Sequence, residues 1–176
     1  IVNRKEVKIM PRENLKLFKK TVNKTSEEMA KIMGITKIKA YDINKSIDLI
    51  ITDFATATLN IKTNPKIEIV WQDARTGLSL NEEEYSLITQ QPLYLKQAGS
   101  SNLLSEEYLR TISNRLKQDG VFLVYANCLG NEAQKDLVEK TLRKVFPYCV
   151  SFLNRYMYLV SKSPIVYRSE ERRVGK

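Results

Sequence analysis

Residues 85 to 125, YSLITQQPLYLKQAGSSNLLSEEYLRTISNRLKQDGVFLVY, constrain the fold more than any other part of the chain. Tyr85 to Thr89 reads as a strand. Ser105 caps a helix whose first turn carries Glu106 and Glu107, favourable against the positive end of the helix dipole. The helix is expected to stop at Asp119-Gly120. Val121 to Ala126 then forms an uninterrupted apolar run, typical of strands covered on both faces. Strand, loop, helix and strand in that order make one repeat of a parallel α/β sheet. The loop after the first strand carries Gln90, Gln91 and Pro92, beyond the strand's C-terminal end, where such sheets gather their ligands.

The rest of the chain keeps the alternation. Pro11 interrupts a weakly amphipathic basic stretch over residues 4 to 20. Thr25 and Glu28 offer a capping box before SEEMAKIM, which Gly34 ends. Ile35 to Ile43 alternates as a strand, and Asn44 caps a helix reaching about Leu59, with Ile47, Ile50, Ile51 and Phe54 on one face. Asn64-Pro65 breaks the chain, Lys66 to Gln72 is a strand ending at Asp73-Ala74-Arg75, and Glu82 to Glu84 form an acidic loop. Glu132 to Phe146 is an amphipathic helix. Cys149 to Leu153 and Met157 to Ser161 are strands joined through Asn154-Arg155-Tyr156 as a hairpin. The expected fold is a doubly wound, mostly parallel α/β sheet with an antiparallel C-terminal hairpin. Trp71 and Tyr85 are expected in its core.

A chain of 176 residues, 43% hydrophobic, suits one domain with a sizeable core. No run is long enough to cross a bilayer. The chain opens on Ile1 rather than Met, so further sequence is expected upstream. Arg168 to Lys176, RSEERRVGK, is read as a non-native tail. Three segments result: a basic stretch over 1–33, an α/β domain over 34–167, and the tail. The net charge of +9 belongs to the ends, because residues 1–40 carry +7 while residues 41–167 hold 14 charges of each sign. No aromatic–basic interleaving accompanies the basic stretch, so no nucleic-acid partner is expected. With no His and only Cys128 and Cys149, neither zinc binding nor His-based acid–base catalysis is expected. The two thiols are read as core residues of a protein in a reducing compartment, the cytoplasm.

Taken together, the run from Gly34 to Ile43, NPKIEIVWQDART, YSLITQQP, SSNLLSEEYL and LKQDGVFLVY resemble the spermidine synthase-like aminopropyltransferases. The likeness is greatest to the spermidine synthase-related domains often fused to membrane segments, and it covers roughly Gly34 to Ile165. The resemblance implies a class I methyltransferase-like sheet, decarboxylated S-adenosylmethionine as co-substrate, no metal, and aminopropyl transfer to a polyamine such as putrescine. It also implies a homodimer, and a place on the cytoplasmic face of a membrane if a membrane region is fused upstream. It assigns Asp42 to the ribose hydroxyls and Asp73, with Ala74 beside it, to the adenine end. Apart from the resemblance, an Asp at either place is a turn or helix-capping residue.

Two features depart from the family pattern. The stretch LKLFKKTVNKTSEEMAKIMG has no glycine before Gly34, where the family has a Gly-rich turn. Aligning Pro92 with the family's proline puts Gln91, beside Gln90, at the position of the acidic residue that helps deprotonate the attacking amine. Gln is neutral and does not act as a general base. Two other readings therefore stand beside aminopropyl transfer. One is a non-catalytic interaction or regulatory member of the family, and the other is an S-adenosylmethionine-dependent methyltransferase. Tyr94 and Lys96 are pocket candidates without a spacing argument.

Overall fold

A computed structural model of the protein describes residues 37–53, 61–91, 99–126, 128 and 131–165. The basic stretch, the Thr25 capping box, Gly34, Phe54 to Leu59, Pro92, Tyr94, Lys96 and the C-terminal tail lie outside the described residues. The chain divides into two compact units, with the boundary between Glu82 and Glu83.

In the first unit, β1 (Ile38–Tyr41) pairs in parallel with β2 (Ile67–Val70), Ile38 opposite Ile67 and Tyr41 opposite Val70. Between them runs α1 (Ile47–Asp53). Asn44 opens it as expected, its side-chain oxygen accepting from the Ser46 backbone N–H at 3.1 Å. The expected apolar face is only partly realised, since Ile47 and Ile51 are half-buried whereas Ile50 is exposed. Among its described residues α1 buries none fully, and Leu49 is 69% exposed.

A second helix, α2 (Ala74–Leu80), lies between β2 and the acidic loop, where the sequence pattern predicts none. Gly77 in its middle is buried against the Tyr41 ring, where a Cβ would come within 2.4 Å of Cε1. Asn81 at its end donates to the Tyr41 hydroxyl at 3.3 Å. Glycine at this position costs helix propensity, but it lets α2 lie directly on the β1 aromatic. Trp71, expected in the core, is half-buried.

The second unit holds a four-stranded sheet in the order β3 (Tyr85–Gln90), β4 (Leu116–Tyr125), β6 (Met157–Ser161), β5 (Tyr148–Phe152). The pair β3–β4 is parallel, and the β5–β6 hairpin folds back so that β6 lies antiparallel against β4. A 3₁₀ turn (Ser100–Leu104) and α3 (Glu106–Arg115) connect β3 to β4, and α4 (Glu132–Val145) connects β4 to β5. Ser105 caps α3 as read from the sequence, accepting from the Tyr108 N–H at 3.3 Å. Asn131 caps α4 in the same way through Gln134.

The core lies on one face of this sheet. Phe122, Val124 and Ala126 of β4 and its continuation, with Tyr158 and Val160 of β6, are fully buried together with Tyr108, Leu109 and Ile112 of α3 and Leu142 of α4. The Phe122 and Phe146 rings meet with centroids 6.1 Å apart. Leu87, Val121, Leu123, Leu159 and Val150 alternate onto the opposite face and are half-buried. Both faces are therefore apolar, as a doubly wound sheet requires. Tyr85 is half-buried rather than in the core, and its hydroxyl donates to Glu83 at 3.1 Å.

The α3–β4 junction differs from expectation. The helix ends at Arg115, and Leu116 is already extended, fully buried and opposite Tyr85. The next pair is Leu87 with Val121, so β4 carries extra residues against β3. Leaving the helix here lets Leu116 pair with Tyr85 while it stays buried. Gly120 is thus not a helix stop. A Cβ there would lie 2.8 Å from the Tyr85 carbonyl oxygen and 3.0 Å from that of Lys117, both backbone atoms unable to swing away.

The turn joining β5 to β6 places Leu153, Asn154 and Arg155 at φ of 52°, 53° and 63°, a left-handed run that non-glycine residues adopt at a cost. Ion pairs hold it against α4. The Arg155 guanidinium binds Glu132 and Asp136, with Glu139 at 3.9 Å. Lys135, 1% exposed, donates to Glu132 at 2.9 Å with its ammonium 4.9 Å from the Tyr156 ring centroid. Hydrogen bonds from Lys135 and Arg155 hold the Glu132 carboxyl below the usual carboxylate range.

Gly120→Ala is expected to destabilise the protein by about 1–3 kcal/mol through overpacking against the Tyr85 and Lys117 backbone, read by chemical denaturation. A carboxylate whose pKa is depressed by folding lends stability that is present above its unfolded value, about 4.3, and is lost as pH falls through the folded value. Glu132→Gln should therefore flatten the fall of the thermal midpoint below that pH. An unchanged acid limb in the variant would show that the Glu132 pairs do not contribute.

Candidate functional site

Parallel strands send their C-terminal ends to one side of a sheet, and each unit presents such an edge. In the first unit, Asp42 directly follows β1, and its backbone N–H donates to the Val70 carbonyl at the end of β2 at 3.1 Å. Asp73 stands three residues beyond Val70 on the neighbouring strand. The chain therefore brings both predicted carboxylates to the same edge of the β1–β2 pair.

Each carboxylate spends one oxygen on its own backbone. Asp42 Oδ1 accepts from the Asn44 N–H at 2.7 Å and shapes the turn into α1. Asp73 Oδ2 is the N-cap of α2, accepting from the Thr76 N–H at 3.0 Å and the Thr76 hydroxyl at 2.9 Å. Both thus have the capping role that sequence alone suggests for a lone Asp. The second oxygen of each takes no hydrogen bond among the described residues, so each keeps an acceptor for a ligand hydroxyl or amine. Ribose hydroxyls and an adenine amine are donors of that kind, and the donor–acceptor chemistry fits them. Ala74 opens α2 immediately after Asp73 and is half-buried.

In the second unit, β3 ends at Gln90, which stands opposite Val124 of β4. The Gln90 side chain turns toward the 3₁₀ segment, and its Nε2 donates to the Leu103 carbonyl at 2.9 Å. Its Oε1 is buried and accepts nothing among the described residues. Gln91, the next residue and the second glutamine of the predicted loop, is exposed. Neither glutamine carries a proton to exchange near neutral pH.

The C-terminal end of β4 contributes a third group of residues that sequence reasoning did not single out. The Ala126 N–H donates to the Tyr156 carbonyl at 2.8 Å, and the Tyr125 and Tyr156 rings stack with centroids 6.5 Å apart. Below them lies the buried Lys135, and Tyr158 donates its hydroxyl to the Lys135 carbonyl at 3.3 Å. Burial pushes the Tyr158 hydroxyl and the Cys128 thiol up, and the Cys149 thiol up to about 11. Both cysteines are free and buried, and at neutral pH neither is a thiolate nucleophile. The sequence signal for this group was Arg155 in a short hairpin turn, with Glu132, Asp136 and Glu139 spaced along one helix.

Comparison with known proteins sets these edges in context. The family model of the spermine/spermidine synthase domain matches residues 23–168. No curated protein matches the chain. Among solved structures, the spermidine synthase of Thermotoga maritima superposes with a TM-score of 0.56 at 19% identity, covering 73% of this chain and 46% of that one. A spermidine synthase in complex with the transition-state analogue AdoDATO gives 0.61 at 20% identity, covering 73% and 47%. Human methyltransferase-like protein 13 in complex with SAH gives 0.58 at 17% identity, covering 73% and 62%. The chain thus spans just under half the length of the first two spermidine synthases, and the likeness establishes a class I methyltransferase-like fold. No helix among the described residues is long and apolar enough to cross a membrane. With the family model matching most of its length, the chain belongs to the spermine/spermidine synthase family.

Proposed function

We propose that this is a spermidine synthase-like domain that binds decarboxylated S-adenosylmethionine and a polyamine such as putrescine. The observation that carries this reading is the pair Asp42 and Asp73, two carboxylates at one edge of a parallel strand pair in a chain of this family, each with an acceptor oxygen to spare. In this reading Asp42 takes the ribose hydroxyls, while Asp73, with Ala74 beside it, takes the adenine end.

Aminopropyl transfer joins the amine nitrogen to the carbon beside the sulfonium. The C–S bond breaks, its electron pair stays on sulfur, and methylthioadenosine leaves. The attacking nitrogen must be a free amine, so a proton has to leave the ammonium before or during attack. Exposed and neutral, Gln91 takes no such proton. A positioned base contributes roughly 10²–10⁴-fold, and the wild-type chain forgoes that factor. This single residue favours a second reading, a family member that binds its ligands without turning them over. In both readings the same nucleoside is bound.

Titration of the intact protein with methylthioadenosine by calorimetry is expected to show binding. Asp73→Asn should weaken it at least tenfold while keeping the α2 cap, because Asn caps a helix as well as Asp does. Absence of binding by the wild type would sink both readings. For the chemistry, Gln91→Glu is expected to raise aminopropyl transfer at least 10²-fold by supplying the missing base, measured as methylthioadenosine release. An unchanged rate in a variant that still binds the nucleoside would leave only the binding role.

A further inference from the structure

Ser163 is the one serine or threonine in this chain that a proline follows. Pro164 has no N–H to offer a strand ladder, and its ring keeps Ser163 out of helical conformation. The chain accordingly leaves the sheet at Ser161, the last residue of β6, and residues 162–165 run on without regular structure. Pro164 is exposed and Ser163 half-buried, while the buried Ser161 hydroxyl donates to the Ser163 carbonyl and holds the bend.

This exit segment is fastened to the stretch that joins α3 to β4. The Ser163 hydroxyl donates to the Gln118 carbonyl at 2.8 Å and accepts from the Gln118 Nε2 at 3.2 Å. The Lys162 ammonium donates to the Leu116 carbonyl. Gln118 is exposed, so the Ser163 hydroxyl makes both of its bonds at the surface. They end on the excursion that Leu116 opens opposite Tyr85 and that Gly120 closes against the Tyr85 carbonyl. One surface hydroxyl thus helps to hold the irregular part of the β3–β4 pairing.

The same hydroxyl has the setting of a phosphate acceptor. A kinase takes its substrate as an extended segment, and the proline after Ser163 favours that shape and leaves no N–H there for the enzyme to satisfy. Arg115, Lys117 and Lys162 stand against Asp119 along the two fastened stretches, so a phosphate added here meets net positive charge.

We propose that Ser163 is a phosphorylation site for a proline-directed serine/threonine kinase, and that its modification unlocks the α3–β4 junction. The hydroxyl oxygen bonds to the terminal phosphorus of a nucleoside triphosphate, whose bond to the bridging oxygen breaks. The nucleoside diphosphate leaves with that electron pair, and the hydroxyl proton passes to the kinase's base. Phosphoserine has no Oγ–H to donate to the Gln118 carbonyl, and it sets a charge of roughly −1.5 to −2 against that oxygen. The Lys162 ammonium pairs with the phosphate in preference to the Leu116 carbonyl, because a charge-assisted bond is the stronger. Both ties to backbone carbonyls are lost, and the β3–β4 pairing opens at its Tyr85–Leu116 end.

The test is incubation of the folded, intact protein with magnesium ATP and a purified proline-directed serine/threonine kinase. Phosphate uptake is followed by mass spectrometry of the whole chain and of its peptides. The wild type is expected to take up phosphate at Ser163, Ser163→Ala none, and Pro164→Ala at a rate at least tenfold lower. Amide hydrogen exchange over residues 116–120 should then run roughly tenfold faster in the phosphorylated protein than in the unmodified one. Uptake that needs prior unfolding, that occurs at other residues in place of Ser163, or that ignores the loss of Pro164 overturns the assignment. Exchange over 116–120 that is unchanged or slowed by the phosphate overturns the unlocking. If Ser163→Ala does not fold, the peptide masses of the wild type and the rate in Pro164→Ala, which keeps the hydroxyl, decide.

Discussion

The burial of β4 is the constraint on which the second unit depends. Leu116, Phe122, Val124 and Ala126 lose all contact with solvent, and the strand is paired on both sides, by β3 in parallel and by β6 antiparallel. A central strand of this kind cannot slip by one residue without exchanging its buried face for Val121, Leu123 and Tyr125. That register carries β3 with it, because Gln90 is paired to Val124. The height of the loop after β3 is therefore set by apolar packing several residues away. The Leu116–Gly120 excursion absorbs the mismatch between a helix ending early and a strand pairing that must begin exactly in register. Its tightest point, Gly120 against the Tyr85 carbonyl, has no room for a side chain.

A second constraint comes from charge. Burying Lys135 is expensive unless its ammonium is compensated, and Glu132 together with the Tyr156 ring provides that compensation. The same Glu132 also binds Arg155, whose backbone lies in the left-handed region with its two predecessors. The start of α4 and the β5–β6 turn are thus joined through one shared carboxylate. The turn's conformational cost is tolerated because its last residue is anchored on three acids of a rigid helix. This network stands at the C-terminal end of β4, beside the Tyr125–Tyr156 stack, and stiffens that edge.

Much of this architecture could be read from the residues. The caps at Ser105 and Asn44, the apolar run from Val121, the amphipathic helix from Glu132 and the closing hairpin all appear where their local chemistry places them. What escaped reading was decided by tertiary contact. The helix α2 has a weak propensity, with Gly77 and Ser79 among seven residues, and it exists because Asp73 caps it and Tyr41 covers it. Its signal was present in the Asp73–Thr76 spacing. The sequence places the α3 ending at Asp119-Gly120, an obvious punctuation mark, because Leu109, Ile112 and Leu116 share one helical stripe and only the pairing of Leu116 with Tyr85 ends the helix earlier. Lys135 is buried in the helix that Glu132 opens, and nothing local to it in sequence reports Tyr156. Of the site residues, Asp42 and Asp73 could be brought together from strand order alone. The orphaned oxygen of Gln90 depends on Leu103, thirteen residues away, and no periodicity announces it.

The two edges also differ in how their polar groups are prepared. Asp42 and Asp73 each use one oxygen to organise backbone and keep the other, so the geometry of the free oxygen is fixed before any ligand arrives. Gln90 does the same with an amide, anchoring through nitrogen and leaving oxygen. In all three, a short local or medium-range bond removes rotamer freedom that binding would otherwise have to remove, and this is the substance of preorganisation. The difference lies in charge. The carboxylates are charged acceptors suited to hydroxyl and amine donors, whereas the end of β3 carries the neutral amides Gln90 and Gln91. The acidic edge of the first unit and the neutral end of β3 in the second are thus prepared by the same device, one charged and the other neutral.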